Sequence, residues 1–268
     1  MNVSDKIKYV GVDDLDIDLF ESQYVVPEGM SYNSYVILDE KTAVMDTVDA
    51  RKTDEWINNV KATLGNKSLD YIVCLHMEPD HAGSMMKAME TFPTAKVVGN
   101  AKTFTYMAQF FDVNLEGRKV EVKDGESLSL GEHNLTFVCA PMVHWPEVMV
   151  AYESSEKVLF AADAFGKFGA ISKYDGDWAC EARRYYFNIC GKYGVQVQSL
   201  LKKAAALDIK TIAPLHGPVL KENLGYYIDL YNTWSSYGVE SEGVLVAFAS
   251  IHGNTRKAAE KIASILEK

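Results

Sequence analysis

Several features that would indicate other classes of protein are missing from this chain of 268 residues. No apolar run reaches the ~20 residues that a membrane-spanning helix needs, and the N-terminus lacks the apolar stretch of a secretory signal peptide. The net charge of −10 argues against non-specific nucleic-acid binding, which requires a positive field. We therefore expect a cytoplasmic protein that binds neither nucleic acid nor membranes.

Cysteine pairs with metal-binding or redox spacing are missing as well. None of the four cysteines forms a C-x-x-C pair, which excludes a zinc ribbon, a rubredoxin-type site and a thioredoxin motif. Hydrophobic residues make up 48% of the chain and charged residues 24%, as is typical of soluble globular proteins. The length allows one large core, or one domain plus part of another.

The most informative stretch is H-x-E-x-D-H, which directly follows the apolar run at residues 71–75. It supplies four potential metal ligands, namely His76, Glu78, Asp80 and His81. Imidazole and carboxylate together suit first-row transition metals. Because Pro79 is incompatible with a continuous helix, we expect the ligands on a loop at the end of a strand. An ordinary solvated acidic loop is the alternative.

Apolar runs alternate with helical patterns on both sides of this stretch. Strands are predicted over residues 34–38, 42–46 and 96–99, and helices over residues 82–92 and 101–111. Another helix is predicted up to Gly65, with Asp49 or Thr53 as its possible cap. From residue 119 onward, short strands separated by tight turns such as Asp124-Gly125 predict hairpins. The pattern predicts an α/β (α+β) domain in which helices cover the sheets.

Four of the predicted strands end in histidine or aspartate beside glycine or proline. The ends lie at residues 76–81, at His144, at Asp163 and at His216. Any one of them alone could be a satisfied loop histidine or a solvated aspartate. Together they predict a binuclear metal site at one sheet edge. Of the remaining histidines, His133 lies in a polar turn and His252 belongs to a different motif.

The order H-x-E-x-D-H, His144, Asp163, His216 resembles the metallo-β-lactamase-like core of flavodiiron proteins (A-type flavoproteins). The resemblance covers nearly the whole chain and implies an αββα sandwich over residues 1–241 with two irons. It implies that His76, Glu78 and His144 bind one iron and that Asp80, His81 and His216 bind the other. Asp163 would bridge the two irons.

The ligand chemistry agrees with iron. Hydrolytic members of the lactamase superfamily usually carry histidine where this chain has Glu78. With Asp80 and Asp163, Glu78 makes three formal negative charges, and anionic oxygen stabilises a higher oxidation state better than it suits a zinc hydroxide. A binuclear-zinc hydrolase of the same superfamily is the alternative function, and a non-catalytic O2 or NO sensor is a second alternative.

The resemblance implies an oxidoreductase that reduces O2 to water, NO to N2O, or both. Trp145 and Phe168 are candidates for apolar walls of the substrate pocket, with core packing as the alternative. Tyr193 matches a tyrosine close to the metals in the family, or it is an exposed loop residue. The resemblance also implies a rubredoxin-like or NADH-linked electron donor and a head-to-tail homodimer.

Residues 242–268 resemble the first strand, phosphate loop and first helix of a flavodoxin-like domain. An apolar strand at residues 243–249 leads into a small polar loop and a helix at residues 257–267. Hydroxyl and N–H groups at a helix N-terminus suit the phosphate of FMN, and the candidates are Ser250, His252, Gly253, Asn254 and Thr255. A generic strand–turn–helix is the alternative. Such a domain needs about five strands, so we expect it to be incomplete and FMN to be retained only by the complete protein.

Overall fold

The computed structural model describes residues 2–267 and alternates short strands with helices. The strands are β1 (Ile7–Tyr9), β2 (Val12–Asp14), β3 (Leu19–Phe20), β4 (Tyr24–Val25), β5 (Met30–Tyr32), β6 (Tyr35–Ile37), β7 (Ala43–Met45), β8 (Tyr71–Val73), β9 (Lys96–Gly99), β10 (Lys119–Glu121), β11 (Ser127–Ser129), β12 (Asn134–Cys139), β13 (Met149–Glu153), β14 (Val158–Phe160) and β15 (Thr211–Ala213). The helices are α1 (Thr53–Leu64), α2 (Pro79–Ala82), α3 (Met85–Thr91), α4 (Ala101–Phe110), α5 (Ala179–Ile189), α6 (Gly194–Ala204), α7 (Leu224–Ser235) and α8 (Asn254–Leu266), with short 3-10 helices at Ala50–Lys52, Ile171–Lys173 and Gly191–Tyr193.

The first sheet has the strand order β1-β6-β7-β8-β9-β10. Its first three strands are antiparallel, whereas β7, β8, β9 and β10 run parallel. Each parallel pair is joined by helical segments, as parallel pairing requires a crossover. The three residues of β7 are all buried, which explains why this strand is a continuous apolar run in the sequence.

The second sheet has the strand order β11-β12-β13-β14-β15. It is antiparallel except for β14 and β15, which run parallel. The sheets meet face to face where the rings of Tyr35 on β6 and Phe160 on β14 lie 5.6 Å apart. The Tyr35 hydroxyl also donates a 2.8 Å hydrogen bond to the Pro214 carbonyl beyond β15. The core therefore lies between the two sheets.

Helices complete the outer layers. Helix α1 buries Trp56 and Val60 on the side of the first sheet. On the second sheet, Val197 of α6 and Tyr231 of α7 approach the same apolar space as Leu159 of β14. The fold is the αββα arrangement expected from the sequence, and no helix within residues 2–267 is long and apolar enough to cross a bilayer.

The predicted hairpin at Asp124-Gly125 is wrong. β10 pairs with β9 in the first sheet and β11 pairs with β12 in the second, so this turn carries the chain between sheets. The turn is fixed on β12 instead, because Asp124 accepts a 2.7 Å hydrogen bond from the Cys139 N–H and the Gly125 N–H donates one to Phe137. A tight-turn signal does not specify which strands pair.

The structure also corrects the region after β8. Pro79 opens the helix α2 rather than preventing it, because a proline at the first helical position lacks only an N–H that would have no partner. Asp80 and His81 therefore lie in a helical turn, not in a loop. The helix predicted from residue 82 begins at Met85, after a close approach at Gly83, where a Cβ would lie 2.5 Å from the Pro79 carbonyl oxygen.

The strand predicted at residues 243–249 is not formed among the described residues. Val244 and Leu245 are 70% and 90% exposed, and no strand within residues 2–267 pairs with them. An apolar run without a neighbouring strand cannot satisfy its backbone groups as a sheet. The helix that follows is formed, and α8 begins at Asn254, three residues earlier than predicted.

Candidate metal centre

The predicted metal ligands come together at one end of the sandwich. They lie just beyond the ends of β8, β12, β14 and β15 or in α2: His76 and Glu78 after β8, Asp80 and His81 in α2, His144 after β12, Asp163 after β14 and His216 after β15. None of their side chains is more than 12% exposed. Rigid strands therefore deliver the ligands to one buried point.

One group of ligand atoms surrounds a carboxylate oxygen of Glu78. Its Oε2 lies 3.1 Å from Nε2 of His76 and 3.0 Å from Nε2 of His144. The Oδ2 of Asp163 completes the group, 3.5 Å and 3.3 Å from the same two nitrogens. Four side chains thus point their ligand atoms at a common space.

The second group lies beside the first and surrounds Asp80. Its Oδ2 is 3.3 Å from Nε2 of His81 and 3.2 Å from Nε2 of His216. The other oxygen of the Asp163 carboxylate, Oδ1, is 2.9 Å from His81 and 3.6 Å from His216. Asp163 therefore presents one oxygen to each group, which is the geometry of a bridging carboxylate.

The spacing and the unpaired atoms both fit metal ions. Ligands about 2.1 Å from a shared ion in tetrahedral geometry lie about 3.4 Å apart, close to the observed separations of 2.9–3.6 Å. Both carboxylate oxygens of Asp80 and Nε2 of His216 are buried without a hydrogen-bond partner. Buried polar atoms are normally paired, and two cations would satisfy these.

The electrostatics of the ligands fit cations in the same way. Burial alone would lower the pKa of His81, but Asp80 and Asp163 raise it to about 9. Burial would likewise lower the pKa of His144, but hydrogen bonds to Asp163 and Glu78 raise it to about 9. Burial opposes ionisation of Asp163, yet the neighbouring histidines hold its pKa well below the usual range. The carboxylates stabilise positive charge here, and metal ions would replace the protons on the rings.

Two buried carboxylates that the sequence analysis did not single out hold this site in place. Asp46, with φ at 53°, accepts hydrogen bonds from the N–H groups of Leu75 (2.7 Å) and His76 (3.2 Å). Glu147 lies 2.7 Å from Nδ1 of His76 and accepts a 2.9 Å bond from the Met77 N–H. Asp46 ends an apolar strand, the pattern that identified Asp163, whereas Glu147 carried no comparable signal beyond its place after Pro146.

The three candidate pocket residues occupy different environments. Trp145 stands edge-on to His76 with ring centroids 5.4 Å apart and lines a cavity of about 310 Å³ that reaches Glu78 and His144. Phe168 is fully buried and does not line that cavity, but it lines a separate one of about 330 Å³. Tyr193 is half-buried in the 3-10 helix Gly191–Tyr193 and lies outside the lining of this cavity.

The hairpin of β3 and β4 covers the ligands and separates two openings. Glu21 at its tip lines both the 310 Å³ cavity and a second of about 460 Å³ that reaches Glu78 and Asp80. The rings of Phe20, on β3 of this hairpin, and of Tyr185, on α5, lie 5.6 Å and 5.4 Å from His216. These wall residues were missed, because nothing in the local sequence of β3 or α5 distinguishes them from ordinary core residues.

The five candidate phosphate-loop residues lie where the chain enters α8. Gly253 has a φ of 82° and caps the helix, and Asn254 and Thr255 lie in its first turn. Ser250 is half-buried and His252 is exposed. The segment presents free N–H groups at a helix N-terminus.

Two facing sheets with a binuclear ligand set at one end define a β-lactamase-like metal-binding domain. Residues 30–217 match the family described as "ODP family beta lactamase". The chain is 34% identical over 269 residues to a nitric oxide reductase of Moorella thermoacetica, covering 97% of this chain and 67% of that protein. Among solved structures, the flavodiiron protein of Giardia intestinalis has a TM-score of 0.83 and 29% identity, covering 88% of this chain and 59% of that one.

A second solved structure points the same way. Rubredoxin oxygen:oxidoreductase from Desulfovibrio gigas has a TM-score of 0.80 and 29% identity, covering 88% of this chain and 61% of that one. The chain therefore belongs to the flavodiiron protein family, as the sequence resemblance implied. It spans between 41% and 69% of the length of the curated relatives it matches, for example 55% of a flavorubredoxin from Vibrio vulnificus and 67% of the Moorella protein.

Proposed function

We propose that this chain is the catalytic part of an oxidoreductase that reduces O2 to water, NO to N2O, or both, at a di-iron centre. The observation that carries the proposal is the pair of ligand groups that share Asp163, one oxygen facing each group. The names of relatives support the reaction class, since they include a nitric oxide reductase and a rubredoxin oxygen:oxidoreductase.

In this proposal each ligand group holds one iron. His76, Glu78 and His144 hold the first and Asp80, His81 and His216 the second, while Asp163 joins them. Iron held there would pass electrons from the external donor to the gas, and the protein supplies position and environment. The carboxylate of Glu78, in place of the histidine usual in hydrolytic relatives, adds the anionic oxygen that favours iron over zinc.

The cavity beside the ligands has a mixed lining. Polar and charged side chains, among them Glu21, Asn188 and Lys192, line the 310 Å³ cavity together with Trp145 and Phe187. This volume is large enough for a small diatomic gas to reach Glu78 and His144. Tyr193 neither lines this cavity nor forms a hydrogen bond to His76, Glu78 or His144, so a role for it near the irons is part of the proposal only.

Electron delivery requires a further cofactor. In this proposal FMN binds by its phosphate to Ser250, His252, Gly253, Asn254 and Thr255 once a complete flavodoxin-like domain is present. A rubredoxin-like or NADH-linked donor would reduce the flavin. A head-to-tail homodimer would then place the flavin of one chain beside the irons of the other. Leu245 is 90% exposed and Ile251 is 94% exposed. These apolar side chains support the proposal that a flavodoxin-like domain packs against this segment.

The decisive experiment uses the chain joined to a complete flavodoxin-like domain and loaded anaerobically with ferrous iron and FMN. Amperometric electrodes would follow O2 and NO with a supplied reductant, and we expect consumption of both gases. The matched control is the same preparation without metal. Two bound irons with no consumption of either gas above that control would refute the proposal, and binding without repeated turnover would favour a sensor.

Loading the protein with zinc distinguishes the hydrolase alternative from the proposed oxidoreductase. A zinc-bound hydroxide held by the same ligands would hydrolyse thioesters, lactams or phosphodiesters. We expect no turnover of such a panel by the zinc-loaded protein. Rapid hydrolysis of any of them, together with an inactive iron form, would replace the oxidoreductase by the hydrolase.

A further inference from the structure

The two ligand groups differ in what holds the rear of their histidine rings. Nδ1 of His76, in the first group, lies 2.7 Å from a carboxylate oxygen of Glu147. Nδ1 of His216, in the second group, lies 2.7 Å from the carbonyl oxygen of Ser31. Nδ1 of His81, also in the second group, is buried with no hydrogen-bond partner within residues 2–267. Of these three rings, only that of His76, in the first group, therefore has a charged partner.

Glu147 is held rigidly for this contact. Its side chain is fully buried, and the oxygen that meets His76 also accepts the Met77 N–H at 2.9 Å. Its own backbone carbonyl accepts a 2.6 Å bond from the Asn100 side chain. A carboxylate at Nδ1 requires the proton on that nitrogen, which leaves the lone pair of Nε2 free for a metal.

The directly coordinating groups are otherwise matched. Each group contains two imidazoles and one carboxylate of its own, and each shares one oxygen of Asp163. A carboxylate behind a ligand imidazole raises the basicity of the coordinating nitrogen, whereas a neutral carbonyl does so less. The added negative charge also stabilises the more highly charged ion at that position.

From this asymmetry we propose that Glu147 is a positioning residue that makes the two metal positions unequal. The position of His76, Glu78 and His144 binds a divalent ion more tightly. It is also the position that stays ferric when a diferric centre takes up one electron from a chemical reductant, so that the iron at the other position becomes ferrous. The redox part of the inference rests on the proposed di-iron function, whereas the order of metal affinities does not.

The affinity order can be tested on the unaltered protein. Metal-free protein would receive one equivalent of Co²⁺ per chain, and anomalous diffraction would give the occupancy of each position. We expect most of the cobalt beside His76. Equal occupancies, or a preference for the position of His216, would overturn the inference while leaving the binuclear site intact. If neither position takes cobalt, the inference falls together with the proposed metal site.

The role of Glu147 itself is tested with the variant E147Q, which keeps the shape and an oxygen acceptor but removes the charge. Loss of a supporting partner behind a ligand histidine typically weakens metal binding by about 10- to 100-fold. In a competitive Co²⁺ titration, we expect the affinity of the tighter binding step to fall by that factor and the affinity of the weaker step to stay unchanged. Identical titrations of E147Q and the unaltered protein would show that Glu147 does not set the order.

The matched control is E153Q. Glu153 is also fully buried, but its carboxylate accepts the N–H groups of Ser155 and Glu156 and touches no ligand. We expect E153Q to titrate like the unaltered protein. For the iron form, an EPR-monitored reductive titration measures the range of potential over which the mixed-valent signal is present. This range should be narrower in E147Q and unchanged in E153Q. An unchanged range in E147Q, or equal narrowing in E153Q, would contradict a specific effect of Glu147 on the irons.

Discussion

Nδ1 of His133 lies 2.7 Å from the carboxylate of Asp39, and this contact joins the two sheets at the end opposite the metal ligands. The same carboxylate accepts the His133 N–H at 2.7 Å, and Nε2 of His133 faces Glu156 at 3.2 Å. The sequence analysis placed His133 in a polar turn. It is in a turn, but it is only 3% exposed, so its role is to link the sheets.

This contact predicts a pH dependence of stability. Burial lowers the pKa of His133, but Asp39 and Glu156 raise it above the ordinary value. Burial raises the pKa of Asp39, but hydrogen bonds from His133 lower it to about 2. A histidine with a raised pKa contributes its full stabilisation at pH values below its unfolded pKa of about 6.5. An aspartate with a lowered pKa contributes its full stabilisation at pH values above its unfolded pKa of about 3.9. The pair therefore stabilises most between these values and loses the histidine contribution as pH rises through the raised pKa.

Urea unfolding of the protein and of His133→Asn at pH 5.5 and pH 9 measures this effect. We expect the difference in unfolding free energy to be about 1.5–3 kcal/mol at pH 5.5, the range for a charged hydrogen bond, and smaller at pH 9. Because both proteins keep the metal ligands, subtracting their unfolding free energies at the same pH cancels the contribution of those ligands. A difference that is constant with pH, or larger at pH 9, would show that the contact is not an ion pair.

A second prediction concerns Asp163→Asn. The change removes one negative charge and one of the two equivalent oxygens that face the ligand groups, so both positions should lose affinity for iron while the fold is kept. Iron analysis after anaerobic reconstitution and gel filtration measures the loss, and circular dichroism checks the fold. His133→Ala is the control and should retain its iron. Full iron content and activity in Asp163→Asn would disprove the bridging role.

Metal removal should lower thermal stability. Three buried carboxylates, Glu78, Asp80 and Asp163, lie within one small volume, and metal ions bound to the folded state alone stabilise it by mass action. An ion at about 100 times its dissociation constant contributes about 2.7 kcal/mol, which corresponds to a fall in Tm of about 5–10 °C when it is removed.

Differential scanning calorimetry with and without a chelator gives the shift. Asp163→Asn is the matched control, because a protein that already lacks metal should not respond to the chelator. A chelator effect of equal size in both proteins would mean that the stabilising ion is bound elsewhere.

The candidate ligands, which the structure brings together in two groups, could be picked out from the sequence because their residue types carry chemical information. His76, Glu78 and Asp163 each follow an apolar strand, and strand ends meet at one edge of a sheet. Asp46 and Glu147 were missed because they act through hydrogen bonds to His76 and its neighbours, and these contacts span 30 and 71 residues of sequence. The predicted Asp124-Gly125 hairpin failed for the same reason, since pairing partners are set by tertiary contacts rather than by the turn.

The last prediction concerns how electrons reach the metal centre. Residues 243–249 form no strand, and Val244 and Leu245 are exposed to solvent, so the described residues 2–267 contain no flavodoxin-like sheet on which FMN would rest. We expect a polypeptide of these residues to bind iron but to retain no FMN. Without flavin, a rubredoxin-like or NADH-linked donor has no intermediate carrier, and gas reduction should be almost undetectable.

Joining residues 1–268 to a complete flavodoxin-like domain should restore donor-driven reduction of O2 or NO.

Mixing two inactive variants tests the head-to-tail arrangement in that longer protein. One variant lacks iron through Asp163→Asn, and the other has an FMN loop disabled by Thr255→Glu, which places a negative charge where the phosphate would bind. If the flavin of one chain serves the irons of the other, mixed dimers regain up to about half of the activity per active site, because one of their two flavin–iron pairs is intact. Mixed dimers with no activity would show that each chain uses its own flavin. Rapid donor-driven turnover by residues 1–268, with flavin shown to be absent, would overturn the whole route.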